Sequence, residues 1–181
     1  MGQSLVIDAC CLLNLLASTL EHEIIEARAL DLIGSTHLRS EALYLSGPPD
    51  EDGIPKKEAI DLSHLETSGA LRIEEAERIA TGPFIRCAEH LNDADAAAVA
   101  LAVASQAPLA TDDNRQRNVT KRMYPEVELV STLDLIRPAF EELHLSLEAQ
   151  RRCARDIRRR ASFLPPKRDP HRNWFLELLA G

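Results

Sequence analysis

The chain is poor in aromatic residues, which make up 4% of it, while the broader apolar class reaches 45%. A core must therefore be built from Leu, Ile, Val and Ala, which favours helices packed on a small sheet over an aromatic-rich β-sandwich. No apolar run approaches the roughly 18 residues that a membrane span needs. The amino terminus has no basic segment before its apolar stretch, and MGQSLVIDACCLLNLLA carries an Asp inside that stretch. This is unlike a secretory signal, and a cytoplasmic protein is expected. Gly2 opens no convincing myristoylation motif, since Ile7 stands outside the Ser/Thr preference. The four cysteines, Cys10, Cys11, Cys87 and Cys153, show no C-x-x-C spacing and read as small buried hydrophobes. None of the six histidines shows metal-ligand spacing, and there is no internal repeat.

What is present is acidic, and unevenly so. The net charge is -8 over 181 residues, a length that suits a single domain. From Gln150 to Gly181 nine Lys or Arg stand against three Asp or Glu, a balance of +6 that leaves -14 on the rest. An acidic body with a basic tail does not favour nonspecific nucleic-acid binding by the body, so contact there would be local and metal-assisted.

Hydrophobic periodicity predicts alternating strands and helices. SLVID reads as a short buried strand and Ala9 to Ser18 as a helix leaving its carboxyl end. A helix is expected over Glu21 to Ile33 with Gly34 as its stop, then a strand over THLRS, then a helix capped by Ser40 and carrying Glu41. GPPDEDGIPKK reads as a surface loop, Glu58 to Glu66 as a helix, and ALRIEE as a strand. AERIATGPFIRCAEHL is helical with an interruption at Gly82-Pro83. Asn92 or Asp93 caps an alanine-rich helix over Ala94 to Ser105. PLAT, DNRQRNVTKRMY, VELV and TLDLIRPAFEEL then read as strand, helix, strand, helix. The expected fold is a three-layer α/β/α sandwich around a short, mainly parallel sheet of four to five strands. Its boundaries are 1–147, with 148–181 as a basic helical extension ending in the apolar segment WFLELLAG. The patch of Trp174, Phe175, Leu178 and Leu179 is expected to find a groove on its own domain or on a partner.

Four carboxylates stand where such a sheet would gather them: Asp8 ends the first strand, Asp113 closes PLATDD, Asp95 lies in the first turn of the alanine-rich helix, and Glu41 opens SEALYL. In open α/β sheets ligands bind outside the carboxyl ends of the strands. Hard oxygen donors gathered there suit Mg²⁺ or Mn²⁺ and hydrolytic chemistry on phosphate. Each also has an ordinary reading: Asp8 and Asp113 as helix caps, Asp95 as a first-turn carboxylate beside a helix dipole, Glu41 as a solvated helix residue.

VIDACCLL and LNDADAAAVALAVASQAPLATDD resemble the two flanking signatures of PIN-domain nucleases: a first strand delivering an Asp, then a helix with an early Asp followed by a strand ending in Thr-x-Asp. The resemblance covers about residues 4 to 140, and with the single-domain size the chain resembles the toxin components of bacterial toxin–antitoxin pairs. It implies a Mg²⁺- or Mn²⁺-dependent endoribonuclease, with Asp8, Asp95 and Asp113 as metal ligands and Glu41 as a fourth acidic site residue. Asp93 and Asp112, each beside a matched Asp, are the alternatives. Implied partners are an RNA substrate, an antitoxin that occludes the acidic site, and a second copy in a homodimer. One departure stands out. Where the family often has a small polar residue two positions after the first Asp, this chain has Cys10, so a hydroxyl or amide that would orient the carboxylate is missing. The same position argues against a haloacid-dehalogenase-like phosphatase, which needs a second Asp there. A PIN-like RNA- or protein-binding module with weakened catalysis is the alternative reading. Arg115 is the candidate phosphate contact on the helix after Asp113, and the tail arginines Arg151, Arg152, Arg155, Arg158, Arg159 and Arg160 are candidates for RNA backbone, the acidic body or an acidic partner.

Overall fold

The computed structural model describes residues 2–40, 43–49, 52 and 54–181. A five-stranded parallel sheet is built from β1 (Gln3–Ile7), β2 (Leu30–Ser35), β5 (Leu71–Glu74), β6 (Leu109–Ala110) and β7 (Leu129–Val130), in the order β5-β2-β1-β6-β7. A second, antiparallel pair, β3 (Tyr44–Pro49) and β4 (Pro55–Ala59), stands apart from it. The helices are α1 (Ala9–Ala17), α2 (Glu21–Ala27), α3 (His37–Ser40), α4 (Ser63–Thr67), α5 (Ala76–Ile79), α6 (Thr81–Ala88), α7 (Asp93–Ser105), α8 (Asn114–Met123), α9 (Thr132–Glu142), α10 (Leu147–Arg160) and α11 (Arg172–Ala180).

Strand alternation divides the core into two layers. Leu5 and Ile7 of β1 face a cluster with Leu12, Leu15, Ile24, Leu65, Ile136 and Phe140, whereas Val6 faces the opposite cluster with Val99, Leu101 and Val119. In β2, Leu30 and Leu32 join the first cluster and Ile33 the second. Both faces of the central strands are thus covered by helices, which is why they read as continuous apolar runs. The expected three-layer α/β/α sandwich is the observed fold. No helix among the described residues is long and apolar enough to cross a membrane.

The alanine-rich helix α7 is buried at every position from Ala96 to Ala102. Small side chains let it lie close against the sheet, and the Asn92 cap, whose side chain accepts from the Asp95 amide at 2.8 Å, starts it. In α6, Pro83 falls in the first turn, where a missing N–H costs nothing; the break between α5 and α6 comes earlier, at Ala80.

Five expectations between residues 21 and 66 are corrected. The helix expected to reach Ile33 ends at Ala27, and Leu30–Ser35 is a strand. A strand buried on both faces carries the same apolar density as a helix face, and pairing with β1 and β5 decides between them. THLRS, expected as a strand, is largely helix α3. Gly34 is not a helix stop: a Cβ there would meet Leu38 Cδ1 at 2.3 Å, so its bareness lets α3 close over the strand end. Finally, part of the expected loop GPPDEDGIPKK belongs to the β3–β4 hairpin, and the helix expected from Glu58 begins only at Ser63. Exposed β4 has no apolar face to betray it in the sequence.

The basic tail belongs to the same body. Cys153, Ala154 and Ile157 of α10 and Phe175 and Leu178 of α11 enter the first core cluster. Phe175 is fully buried and meets Phe163 edge to face at 5.6 Å, while Trp174 meets Phe140 at 5.8 Å. The apolar patch of the tail has found its groove on its own chain.

Candidate functional site at the carboxyl edge of the sheet

Three caps bring polar side chains to one edge. β1, β6 and β7 end together, and each hands over to a helix through a side-chain cap: Asp8 for α1, Asp113 for α8 and Ser131 for α9. The pairing of Val6 with Leu109 and of Ile7 with Ala110 sets Asp8 level with the residues that follow β6.

Asp8 is buried, with 6% of its surface exposed. Its Oδ1 accepts from the Cys11 amide at 2.9 Å, and the Cys10 thiol donates to Oδ1 at 3.0 Å and to Oδ2 at 3.2 Å. Thr111 also donates to it. Burial pushes its carboxyl up to about 6, against the lowering pull of these donors, and the neighbouring charge of Asp112 adds to the rise. The orienting donor expected to be missing at position 10 is therefore present, as a thiol.

Asp112 is the second carboxylate of this group. Its Oδ2 accepts from Thr132 Oγ1 at 2.5 Å, from Asn14 Nδ2 at 3.1 Å and from the Cys11 thiol at 3.4 Å. Its Oδ1 accepts from the Thr132 amide at 3.1 Å. Asn14, itself buried, also donates to Thr132 Oγ1 at 2.9 Å, so α1 and α9 hold the carboxylate between them. Burial raises the Asp112 carboxyl too, and the charge of Asp169 from the tail adds to this. No Lys, Arg or His forms an ion pair with Asp8 or Asp112 among the described residues.

The other predicted residues stand differently. Asp95, half-buried in the first turn of α7, accepts from Asn92 Nδ2 at 3.0 Å and lines a narrow depression together with Asp8 and Ser35. Its backbone carbonyl accepts from Gln116 Nε2 at 3.1 Å, which ties α7 to α8. Asp113 is exposed, and its side chain accepts from the Gln116 amide at 2.8 Å as the cap of α8. Asp112 is thus the residue of the pair that faces inward beside Asp8, with Asp113 on the rim. Asp93 is exposed. Glu41 lies outside the described residues. Arg115 is exposed, whereas Arg117, not singled out by the sequence, donates from Nη1 to the carbonyls of Thr111 at 2.7 Å and Val130 at 3.2 Å, clamping the ends of β6 and β7.

Ligand atoms of Asp8, Cys10 and Cys11 lie within 4.8 Å of one another and could hold a metal ion. The two thiols differ from the carboxylates in what they can offer. Burial holds Cys11 well above the ordinary thiol range. For Cys10 a hydrogen bond from Cys11 pulls downward, but burial and the charges of Asp8 and Asp112 outweigh it and leave the thiol raised. Protonated thiols donate hydrogen bonds and make poor ligands, since the thiolate is the metal-binding form. The group therefore offers an ion one carboxylate and two thiols that are held protonated in its absence. Glu21, His22 and His64 form a second such group on α2 and α4. It sits at the other edge, since His22 shares a depression with Gly2, Leu30 and Ala70 at the amino ends of β1, β2 and β5.

The arrangement can concentrate negative charge at one sheet edge, hold it through buried donors, and offer a metal ion the group of Asp8, Cys10 and Cys11. No family model, curated protein or solved structure matches this chain.

Proposed function

We propose that the protein is a metal-dependent endoribonuclease of the PIN class, cutting RNA phosphodiester bonds as the toxin of a toxin–antitoxin pair. The observation that carries this reading is the pairing of buried Asp8 with half-buried Asp112, delivered by adjacent parallel strands without a cationic side chain to balance them. Two raised carboxyls side by side favour a divalent counter-ion, and the oxygen donors suit Mg²⁺ or Mn²⁺. Asp8 and Asp112 would hold it, with Asp95 across the shared depression and Asp113 at the rim. When bound, such an ion supplies acidification of the attacking water and neutralisation of charge on the scissile phosphate.

The chain's own residues do the rest. Cys10, Thr111 and the Cys11 amide fix the Asp8 carboxylate, and Asn14 with Thr132 fixes Asp112, so neither must reorganise as charge develops. Arg115 and Lys121, exposed on α8, are placed to meet phosphate on the open side. An antitoxin occluding the acidic edge and a homodimer belong to the same reading, and a small upstream reading frame for a DNA-binding protein would support it.

The test uses purified full-length protein with mixed RNA and either Mn²⁺ or EDTA, beside Asp8→Asn. Cleavage that requires Mn²⁺ and disappears in the variant is expected. Cleavage that ignores EDTA or survives the substitution overturns the reading, and a folded, Mn²⁺-loaded protein that never cleaves points to the binding module instead.

A further inference from the structure

The charges of the basic tail divide into two sets. On α10, Arg155 pairs with Glu148 at 3.0 Å, Arg159 with Asp156 at 3.2 Å and Arg160 with Glu58 at 3.4 Å, while Arg158 donates to the Ser162 carbonyl at 3.1 Å. Those arginines are engaged within the chain, whereas Arg152, exposed on the same helix and away from the cleft described below, has no ion pair or side-chain hydrogen bond among the described residues. Lys167 and Arg168, in the segment between α10 and α11, are exposed and have no ion pair or side-chain hydrogen bond among the described residues. The same holds for Lys121 on α8.

These three cations surround one cleft. A cavity of about 480 Å³ opens between α8 and the segment Pro166–Pro170, lined also by Asn114 and Asn118, with Asp112 and Ser131 at the sheet edge. The acidic groups in it are already occupied. Asp112 is held by Asn14 and Thr132; Asp134 accepts from Ser131 and from His171 Nε2 at 3.2 Å; Asp169 accepts from the His171 amide at 2.7 Å. Arg117 is spent on two carbonyls. The lining thus carries four cations, Arg117, Lys121, Lys167 and Arg168, against three hydrogen-bonded carboxylates, and Lys121, Lys167, Arg168 and the two Asn amides are the groups left to meet a ligand.

The wall is built to stay in place. Phe163 and Phe175 are buried at either end of the segment, Pro165, Pro166 and Pro170 restrict its backbone, and the Arg172 side chain donates to the Pro165 carbonyl. His171 adds a latch: Nε2 donates to Asp134, and Nδ1 accepts from Arg137 at 3.0 Å. A wall fixed in this way loses little freedom when a ligand arrives.

We infer that the segment joining α10 and α11 forms one wall of a binding cleft for single-stranded RNA, in which Lys167 and Arg168 face Lys121 across the phosphate backbone. The inference rests on the nuclease reading for its choice of polyanion, because the cleft runs into the Asp112 edge. Cations and amides without any aromatic side chain in the lining suit backbone contact and little base selectivity.

The experiment measures binding without cleavage. Full-length protein in EDTA is titrated into a fluorescein-labelled single-stranded RNA of mixed sequence, and anisotropy is followed over a salt series. The variants are Lys167→Ala/Arg168→Ala, Lys121→Ala, and Arg152→Ala/Arg155→Ala on α10 as the comparison. The first two should weaken binding, the double variant by about tenfold, and lower the salt slope by roughly 0.7 for each phosphate no longer neutralised. The α10 variant should bind within about twofold of wild type, and unchanged thermal melts of the exposed substitutions establish folding. Wild-type binding by the Lys167→Ala/Arg168→Ala protein, an equal weakening in the α10 variant, no RNA binding at all, or preference for polyglutamate over RNA each overturns the inference. Asp8→Asn separates the two readings: it should bind RNA while failing to cut it. A protein that binds through the cleft yet never cleaves loses only the nuclease reading; one that cleaves while ignoring the cleft substitutions loses only the cleft.

Discussion

The Cys10 thiol bridges both carboxylate oxygens of Asp8, at 3.0 and 3.2 Å, from two residues along the chain. It is the position at which a hydroxyl or amide would serve the same purpose, and the thiol does so while remaining protonated. Its donation lowers the Asp8 carboxyl, partly offsetting burial. Cys10→Ala should therefore raise that carboxyl further and move the ascending limb of a pH–rate profile for RNA cleavage upward, with Cys10→Ser restoring it. Removing an orienting partner around a metal ligand typically weakens metal affinity about 10–100-fold, so Mn²⁺ titration by calorimetry should report the same order of variants. A Cys10→Ala profile that overlays the wild type would show that the thiol contact has no consequence.

Asp8 also makes stability depend on pH in an unusual direction. Its folded value, about 6, lies above the ordinary 3.8, so the folded state holds the proton more tightly than the unfolded one. Stability from this group is fully present below about 3.8 and declines as pH rises to about 6. The decline is on the order of 3 kcal/mol, from about 1.4 kcal/mol per pK unit. Asp8→Asn keeps a capping acceptor for the Cys11 amide and should flatten this part of the curve, gaining stability at pH 7. Urea unfolding of both proteins at pH 4, 5, 6 and 7, without metal, gives the difference directly. Parallel curves would contradict the burial of an ionising carboxylate.

The layers of the fold are legible in the sequence because strand and helix patterns rarely conflict outside residues 21–66. Val6 and Leu109 on one face and Ile7 and Ala110 on the other follow directly from alternation. Leu30 to Ser35 reads as helix because a strand buried on both faces has no alternation to display, and Gly34 suggests a helix stop until α3 is seen lying over it. At the site, the edge and Asp8 are readable from the apolar run before it. The inward choice between Asp112 and Asp113 is not. It depends on Asn14 and Thr132, far away in sequence, meeting one carboxylate, while Gln116 takes the other as an ordinary cap. The helical character of the tail is equally clear, but nothing local tells which of its arginines are satisfied within the chain.

Asp112 and Asp113 can be separated by substitution. Asp113→Ala removes a helix cap and should cost about 0.5–2 kcal/mol, typically about 1, with Mn²⁺ affinity largely kept. Asp112→Asn should leave the melting temperature near or above that of wild type, since it removes a half-buried charge that has no ion-pair partner, and should abolish Mn²⁺-dependent cleavage. Thermal melts with calorimetric Mn²⁺ titrations test the pair together. If Asp113→Ala loses the ion and Asp112→Asn keeps it, the rim residue is the ligand and the inward one only a structural carboxylate.

Removing the aromatic anchor of the tail tests whether α10 and α11 are part of the body or merely attached to it. Phe175 is fully buried, stacked edge to face on Phe163, within the same cluster as Phe140 and Ile157. Phe175→Ala should destabilise the whole protein by about 3–5 kcal/mol in a single urea transition, as expected for a cavity in a shared core. Hydrogen exchange should quicken over 161–180 first, because these residues depend on that anchor. Since the anchor holds the wall that carries Lys167 and Arg168, RNA binding should weaken in the same variant even where it remains folded. A small, separate transition with the main one unchanged would mean that the tail packs as an independent unit, and the wall of the cleft would then not be rigidly held.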